Sequence, residues 1–159
     1  MRTKIISAFP GMGKTYYYNA HKDICLDSDS SEFSWVIDNG VRVRNPDFPN
    51  NYIKHIKENI GKYKYIFVSS HKEVREALLD NCIFFYLIFP QENFKENFIQ
   101  RYIDRGSPKE FIELVSKNWE LWIGELLEYN HIEGVKTLWH AFSIEREIRH
   151  MKCVEGGDR

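Results

Sequence analysis

Five short apolar runs, separated by stretches of helical periodicity, set the rhythm of the chain. Lys4 to Phe9, Asp23 to Asp27, Tyr65 to Ser69, Cys82 to Phe89 and Val135 to Phe142 read as strands. The run at 82–89 is the most apolar of them and stops at Pro90, as expected of a central strand covered on both faces. Between them the spacing predicts helices over Lys14 to about His21, Asn50 to Ile60, Lys72 to Asp80, Gln91 to Asp104, Ser107 to Leu127 and Ser143 to about Met151. Asn50 reads as an N-cap ahead of Tyr52, Ile53, Ile56 and Ile60, with Gly61 as the stop. Ser107-Pro108-Lys109-Glu110 reads as a capping box opening a helix that carries Phe111, Leu114, Val115, Trp119, Trp122, Leu126 and Leu127. From Glu32 to Pro49 the pattern is irregular, punctuated by Trp35, Asn39-Gly40, Asn45-Pro46 and Phe48-Pro49. The last stretch, Cys153 to Arg159, reads as a polar, frayed tail.

Strands alternating with helices predict one α/β domain over residues 1–152, with a five-stranded parallel sheet between helices. Ligands of such sheets bind beyond the carboxyl ends of the strands. Attention therefore falls on Pro10 to Thr15, Asp27 to Phe33, Ser69 to His71 and the residues from Pro90 onward.

The first of these stretches carries chemistry. Ala8 to Thr15 reads AFPGMGKT, the pattern GxxxxGK[ST] with alanine in place of its first glycine. Gly11 and Gly13 permit a tight turn that points successive N–H groups inward, a nest for phosphate oxygens. Pro10, Gly11, Met12, Gly13, Lys14 and Thr15 are thus the expected phosphate cradle. Lys14 supplies a point charge to the outer phosphates, Thr15 a hydroxyl for Mg²⁺, and the following helix its positive end. ATP or GTP is the implied ligand.

Composition narrows the rest. The chain of 159 residues carries 22 Lys and Arg against 23 Asp and Glu, without the basic footprint of a duplex-binding domain. Cys25, Cys82 and Cys153 are scattered, so neither disulfides nor zinc are indicated, and the first two read as small core residues. No signal peptide and no apolar span near membrane length are present, so the expectation is a soluble, cytoplasmic protein with no membrane partner.

Asp27-Ser28-Asp29 follows the second strand at the edge that holds the loop. At that spacing both carboxylates lean into one cleft, one for Mg²⁺ or its water and one for a proton from an attacking hydroxyl. Here the chain resembles the P-loop small-molecule kinases, the group of nucleoside, nucleotide, shikimate and gluconate kinases. That resemblance implies a three-layer αβα P-loop NTPase fold with a small helical lid at about 99–110 and an acceptor-binding segment at about 28–62. It makes Asp27 the metal-side residue and Asp29 the base or acceptor anchor. The glycine cluster of the shikimate type is missing after the third strand, where Ser69-Ser70-His71 stands, and no acidic residue ends that strand.

Phosphoryl transfer needs positive charge on the migrating group. Arg101 and Arg105 share a helical face before Gly106, where the resemblance places lid arginines. In the irregular segment Arg42 and Arg44 offer a grip on a phosphate or carboxylate, and Phe33, Trp35 and Phe48 offer either a stacking surface or ordinary packing. The expectation is an ATP- and Mg²⁺-dependent kinase whose acceptor is a nucleoside, a nucleotide or a related hydroxyl compound. The small size and the DSDSS run also resemble compact kinases of bacterial viruses, some of which phosphorylate hydroxymethyluracil in DNA; a kinase of a modified base or of an end in DNA is the main alternative. A regulatory ATP-binding protein without transfer is the alternative of another class. The absence of N-K-x-D makes ATP the better donor than GTP.

Overall fold

The computed structural model describes residues 2–139 and 142–156, the last four by backbone alone. Strand β1 (Lys4–Ala8) leads through the loop at 9–13 into helix α1 (Lys14–Ala20), and β2 (Cys25–Asp27) follows. A short helix α2 (Ser31–Ser34), strands β3 (Trp35–Asp38) and β4 (Val41–Arg44), and helix α3 (Asn50–Asn59) lie between β2 and β5 (Tyr65–Ser69). Then come α4 (Lys72–Asp80), β6 (Phe85–Ile88), α5 (Lys95–Asp104), α6 (Lys109–Leu127), β7 (Val135–Leu138) and α7 (Ile144–Gly156).

Five strands form one parallel sheet in the order β2-β5-β1-β6-β7. β1 is the middle strand, its Ala8 in register with Ser69 on one side and Ile88 on the other. Every residue of β1 is buried. Successive side chains of a strand point to opposite faces, so both faces of the sheet are covered, as in a three-layer α/β arrangement. α1 packs with α7, α3 with α4, and α5 with α6. Trp119 of α6, buried as expected, meets Phe9 and Phe98 at ring-centroid distances of 5.4 and 5.6 Å and donates its indole N–H to the Glu92 carbonyl. Among the described residues no helix is long and apolar enough to cross a membrane.

The sequence reading departs from the fold in several places. The segment read as irregular holds α2 and a β3–β4 hairpin pairing Trp35 with Arg44 and Ile37 with Arg42. Its two-residue turn is Asn39-Gly40, both at positive φ, the strongest short hairpin signal there is. Cys82 is exposed at φ 53° rather than in the core, and β6 begins three residues later. Neither expected cap forms. Pro49 and Pro108 occupy the N-cap positions of α3 and α6, and the Ser107 hydroxyl instead accepts from Arg105 Nε at 2.7 Å. β7 stops at Leu138; the continuation expected through His140 and Ala141 lies outside the described residues. α7 runs on to Gly156, past Met151, and residues 157–159 of the expected tail are outside the described part.

Candidate active site

A cleft of about 630 Å³ opens at the carboxyl ends of β1, β2 and β5, where the chain, having built one half of the sheet, crosses β1 to build the other. Its size suits a small-molecule site. Loop residues Pro10, Gly11, Gly13, Lys14 and Thr15 form one wall, Asp27, Ser28 and Asp29 another, and Ser69, Ser70 and His71 a third. Arg101, Arg105 and Phe111 close it from the α5–α6 corner.

The loop needs its two glycines for different reasons. Gly11 (φ +85°) adopts a left-handed conformation, and a Cβ there would sit 2.8 Å from the Tyr102 ring. Gly13 (φ +89°) needs the conformation alone, because a Cβ there would meet nothing within 4 Å. Met12 is buried and faces the core, so of the six expected cradle residues only its side chain turns away from the cleft. Ala8, which replaces a glycine of the motif, is fully buried in β1, and its role falls to its carbonyl, which accepts from Lys14 Nζ at 2.8 Å. Burial pushes the Lys14 ammonium down to about 8; Asp27 and Asp29 pull the other way, and Arg105 adds to the depression.

Thr15 Oγ1 donates to Asp27 Oδ2 at 3.2 Å, which joins the two residues expected on the metal side. Burial raises the Asp27 pKa, against the Thr15 hydrogen bond and the Lys14 charge. Asp29 is exposed, and its Oδ1 accepts the Ser31 N–H at 2.9 Å, which fixes the carboxylate at the start of α2. Among the described residues no group of three or more His, Cys, Asp or Glu is placed to hold a metal. The pair at hand is a hydroxyl and a carboxylate, hard oxygen donors of the kind Mg²⁺ takes when substrate oxygens and water complete its shell.

The four arginines part company. Arg105 faces the cleft, close enough to act on Lys14, with its guanidinium 4.9 Å from the Tyr102 ring. Arg101 lines the cleft too, but its Nη1 donates to the Gly11 and Phe142 carbonyls at 3.1 and 3.0 Å. Arg42 and Arg44 stand on the hairpin, outside the residues lining the cleft, 4.9 and 5.6 Å from the Trp35 ring, and Arg44 pairs with Glu73. Phe33 packs on Tyr52 and His55 at 5.1 and 4.7 Å, and Phe48 is buried beside Tyr52. Neither is among the cleft residues, so packing accounts for both.

Sequence reasoning gave Ser70, Phe111 and Tyr102 no role, and weighed His71 only as a neighbour of the site after the third strand. His71 lines the cleft, and burial, with Lys14, Arg75 and Arg44 around it, lowers its pKa despite Asp29. It is therefore a neutral hydrogen-bonding group at neutral pH. The signal for it and Ser70 was position alone, directly after β5. Arg75, buried in α4, donates to the Ser70 carbonyl and stacks 4.8 Å from Tyr129, fixing that turn. Compared with protein-family models and with curated proteins, the chain finds no match to either.

Proposed function

We propose that the chain is a P-loop kinase that transfers the γ-phosphoryl group of ATP to the hydroxyl of a nucleoside, a nucleotide or a related small molecule. The observation that carries this is the meeting in one cleft of the AFPGMGKT loop, the Thr15–Asp27 contact, the Asp29 carboxylate and the Arg105 guanidinium. Lys14 and the loop amides bind the phosphates. Thr15 and Asp27 would hold Mg²⁺, which when bound neutralises charge on the β- and γ-phosphate oxygens. Asp29 orients the acceptor hydroxyl and takes its proton as the hydroxyl oxygen bonds to the γ-phosphorus. The bond from that phosphorus to the β–γ bridging oxygen breaks, and ADP leaves with the electron pair. Arg105 offsets charge on the migrating group.

The reading is tested by ADP release from ATP with pooled nucleosides, nucleotides, sugars and DNA containing hydroxymethylated bases. An acceptor that raises turnover well above the water rate supports it. Turnover by no acceptor favours a regulatory ATP-binding protein and removes the kinase reading.

One observation favours a second acceptor class, a hydroxymethylated base within DNA. The Arg42 and Arg44 guanidiniums lie 4.9 and 5.6 Å from the Trp35 ring on a hairpin beyond the cleft, a cationic aromatic surface of the kind that a nucleic-acid strand takes. On this reading the DNA arm of the assay gives the largest stimulation, and it falls with added salt.

A further inference from the structure

We infer that Arg101 and Tyr102 are positioning residues that hold the phosphate loop in its binding shape, and that Arg105 alone supplies the lid charge; this rests on the phosphate-loop reading above. Three consecutive loop carbonyls are each taken by a donor from outside the loop. Tyr102 Oη donates to Pro10 O at 2.6 Å, Arg101 Nη1 to Gly11 O at 3.1 Å, and the Ile144 N–H at the start of α7 to Met12 O at 2.8 Å. The loop peptides are trans, so the N–H on the far side of each peptide points opposite to its carbonyl.

Pinning the Pro10 carbonyl therefore aims the Gly11 N–H away from α5, and pinning the Met12 carbonyl aims the Gly13 N–H away from α7. Gly11 and Gly13 are the two that line the cleft. The Met12 N–H between them turns back to the Phe9 carbonyl at 3.3 Å, and Met12 does not line the cleft. The ties on the Pro10 and Met12 carbonyls thus set the direction of the two glycine N–H groups, while the Met12 N–H is taken by Phe9.

The donors are themselves fixed. Tyr102 is fully buried, packed edge-on to Phe98 and Phe111, and burial keeps its hydroxyl protonated. Its ring occupies the space any side chain at position 11 would fill. The Arg101 guanidinium lies between the Phe98 and Phe142 rings, 4.4 and 4.3 Å from their centres. A guanidinium held between two rings, with one nitrogen on two carbonyls, is committed to the protein rather than to a phosphate. Arg105, one turn on, donates its Nε to the Ser107 hydroxyl, makes no side-chain bond to a carbonyl among the described residues, and acts on Lys14.

The test is binding of Mg·ADP to the full chain by calorimetry, with ¹⁵N amide shifts of Gly11 and Gly13 followed through the titration, alongside turnover. Tyr102→Phe keeps the ring and deletes only the hydroxyl; Arg101→Met deletes the donors, and Arg101→Lys restores one. Tyr102→Phe and Arg101→Met are expected to weaken Mg·ADP about three- to tenfold and to move both glycine amides before any ligand is added. Arg101→Lys recovers part of that loss. Arg105→Met is expected to lower turnover while the Mg·ADP dissociation constant stays within about twofold. Wild-type affinity and unmoved glycine amides in Tyr102→Phe and Arg101→Met overturn the inference alone. Loss of Mg·ADP affinity in Arg105→Met without loss in those two overturns it as well. A wild-type chain that binds no Mg·ADP overturns the phosphate-loop reading itself. Should Arg101→Met fail to fold, Tyr102→Phe and Arg101→Lys decide the matter.

Discussion

On one side of the cleft, the loop between β1 and α1 is surrounded by Phe9, Met12, Phe98 and Tyr102, all buried, and tied at three carbonyls from α5 and α7. On the other, the chain from Asp29 to Arg44 ends in a two-stranded hairpin on which Ile37 is 71% and Trp35 41% exposed. Such a hairpin rests mainly on its turn and cross-strand pairs, helped here by the Arg44–Glu73 pair to α4. The difference fits the two tasks of the proposed kinase. Phosphates of a nucleotide always present the same oxygens, so a fixed cradle costs nothing in recognition. An acceptor surface on an exposed hairpin is free to change its sequence without disturbing the core.

The contrast can be broken most directly at Asp29. Asp29→Asn is expected to lower transfer by about 10²- to 10⁴-fold with nucleotide affinity nearly intact, because the proposed general base lies on the acceptor side. Equal loss of both, measured by steady-state kinetics and calorimetry, would move Asp29 to the metal. On the donor side, Lys14→Met should cost about 10²- to 10³-fold in turnover.

Lys14 also gives the donor side a pH signature. Its folded pKa of about 8 lies below the unfolded value, so its burial costs stability in full below pH 8, and that cost fades as pH rises from 8 toward 10.5. Nucleotide affinity runs the opposite way, weakening above pH 8 as the ammonium loses its proton. Melting curves and calorimetry at pH 7 and 9 on wild type and Lys14→Met separate the two trends; in the variant both flatten.

Gly11→Ala drives a methyl into Tyr102 at a left-handed φ, and is expected to cost about 1–3 kcal/mol in denaturant unfolding as well as nucleotide binding. Trp35→Ala makes the smallest change, within about 0.5 kcal/mol of wild-type stability. Its effect should appear in the acceptor's KM and leave that for ATP unchanged. A large loss of stability there would mean the hairpin is part of the core after all.

Much of this was legible in the residues. Five strands were found because their apolar runs are bounded by glycine, proline or charge, and β5 and α4 match their expected limits residue for residue. The loop was legible because its chemistry is local, a handful of residues in one unbroken stretch. The hairpin was missed because both its faces mix apolar and charged residues, so alternation gives no buried side, and only Asn39-Gly40 betrayed it. The two caps failed for a local reason, since proline took the N-cap position in each. Arg101 and Arg105 looked equivalent at i and i+4; which of them meets a carbonyl depends on Phe142 and Gly11, residues far off in the chain.

The donor on Met12 comes from residue 144, and those on Pro10 and Gly11 from residues 102 and 101. Those donors sit on α5 and α7, so the loop takes its tied shape only once both helices have packed against it. Under the proposed function, Mg·ADP capture followed during refolding would therefore report when α7 has docked on the loop.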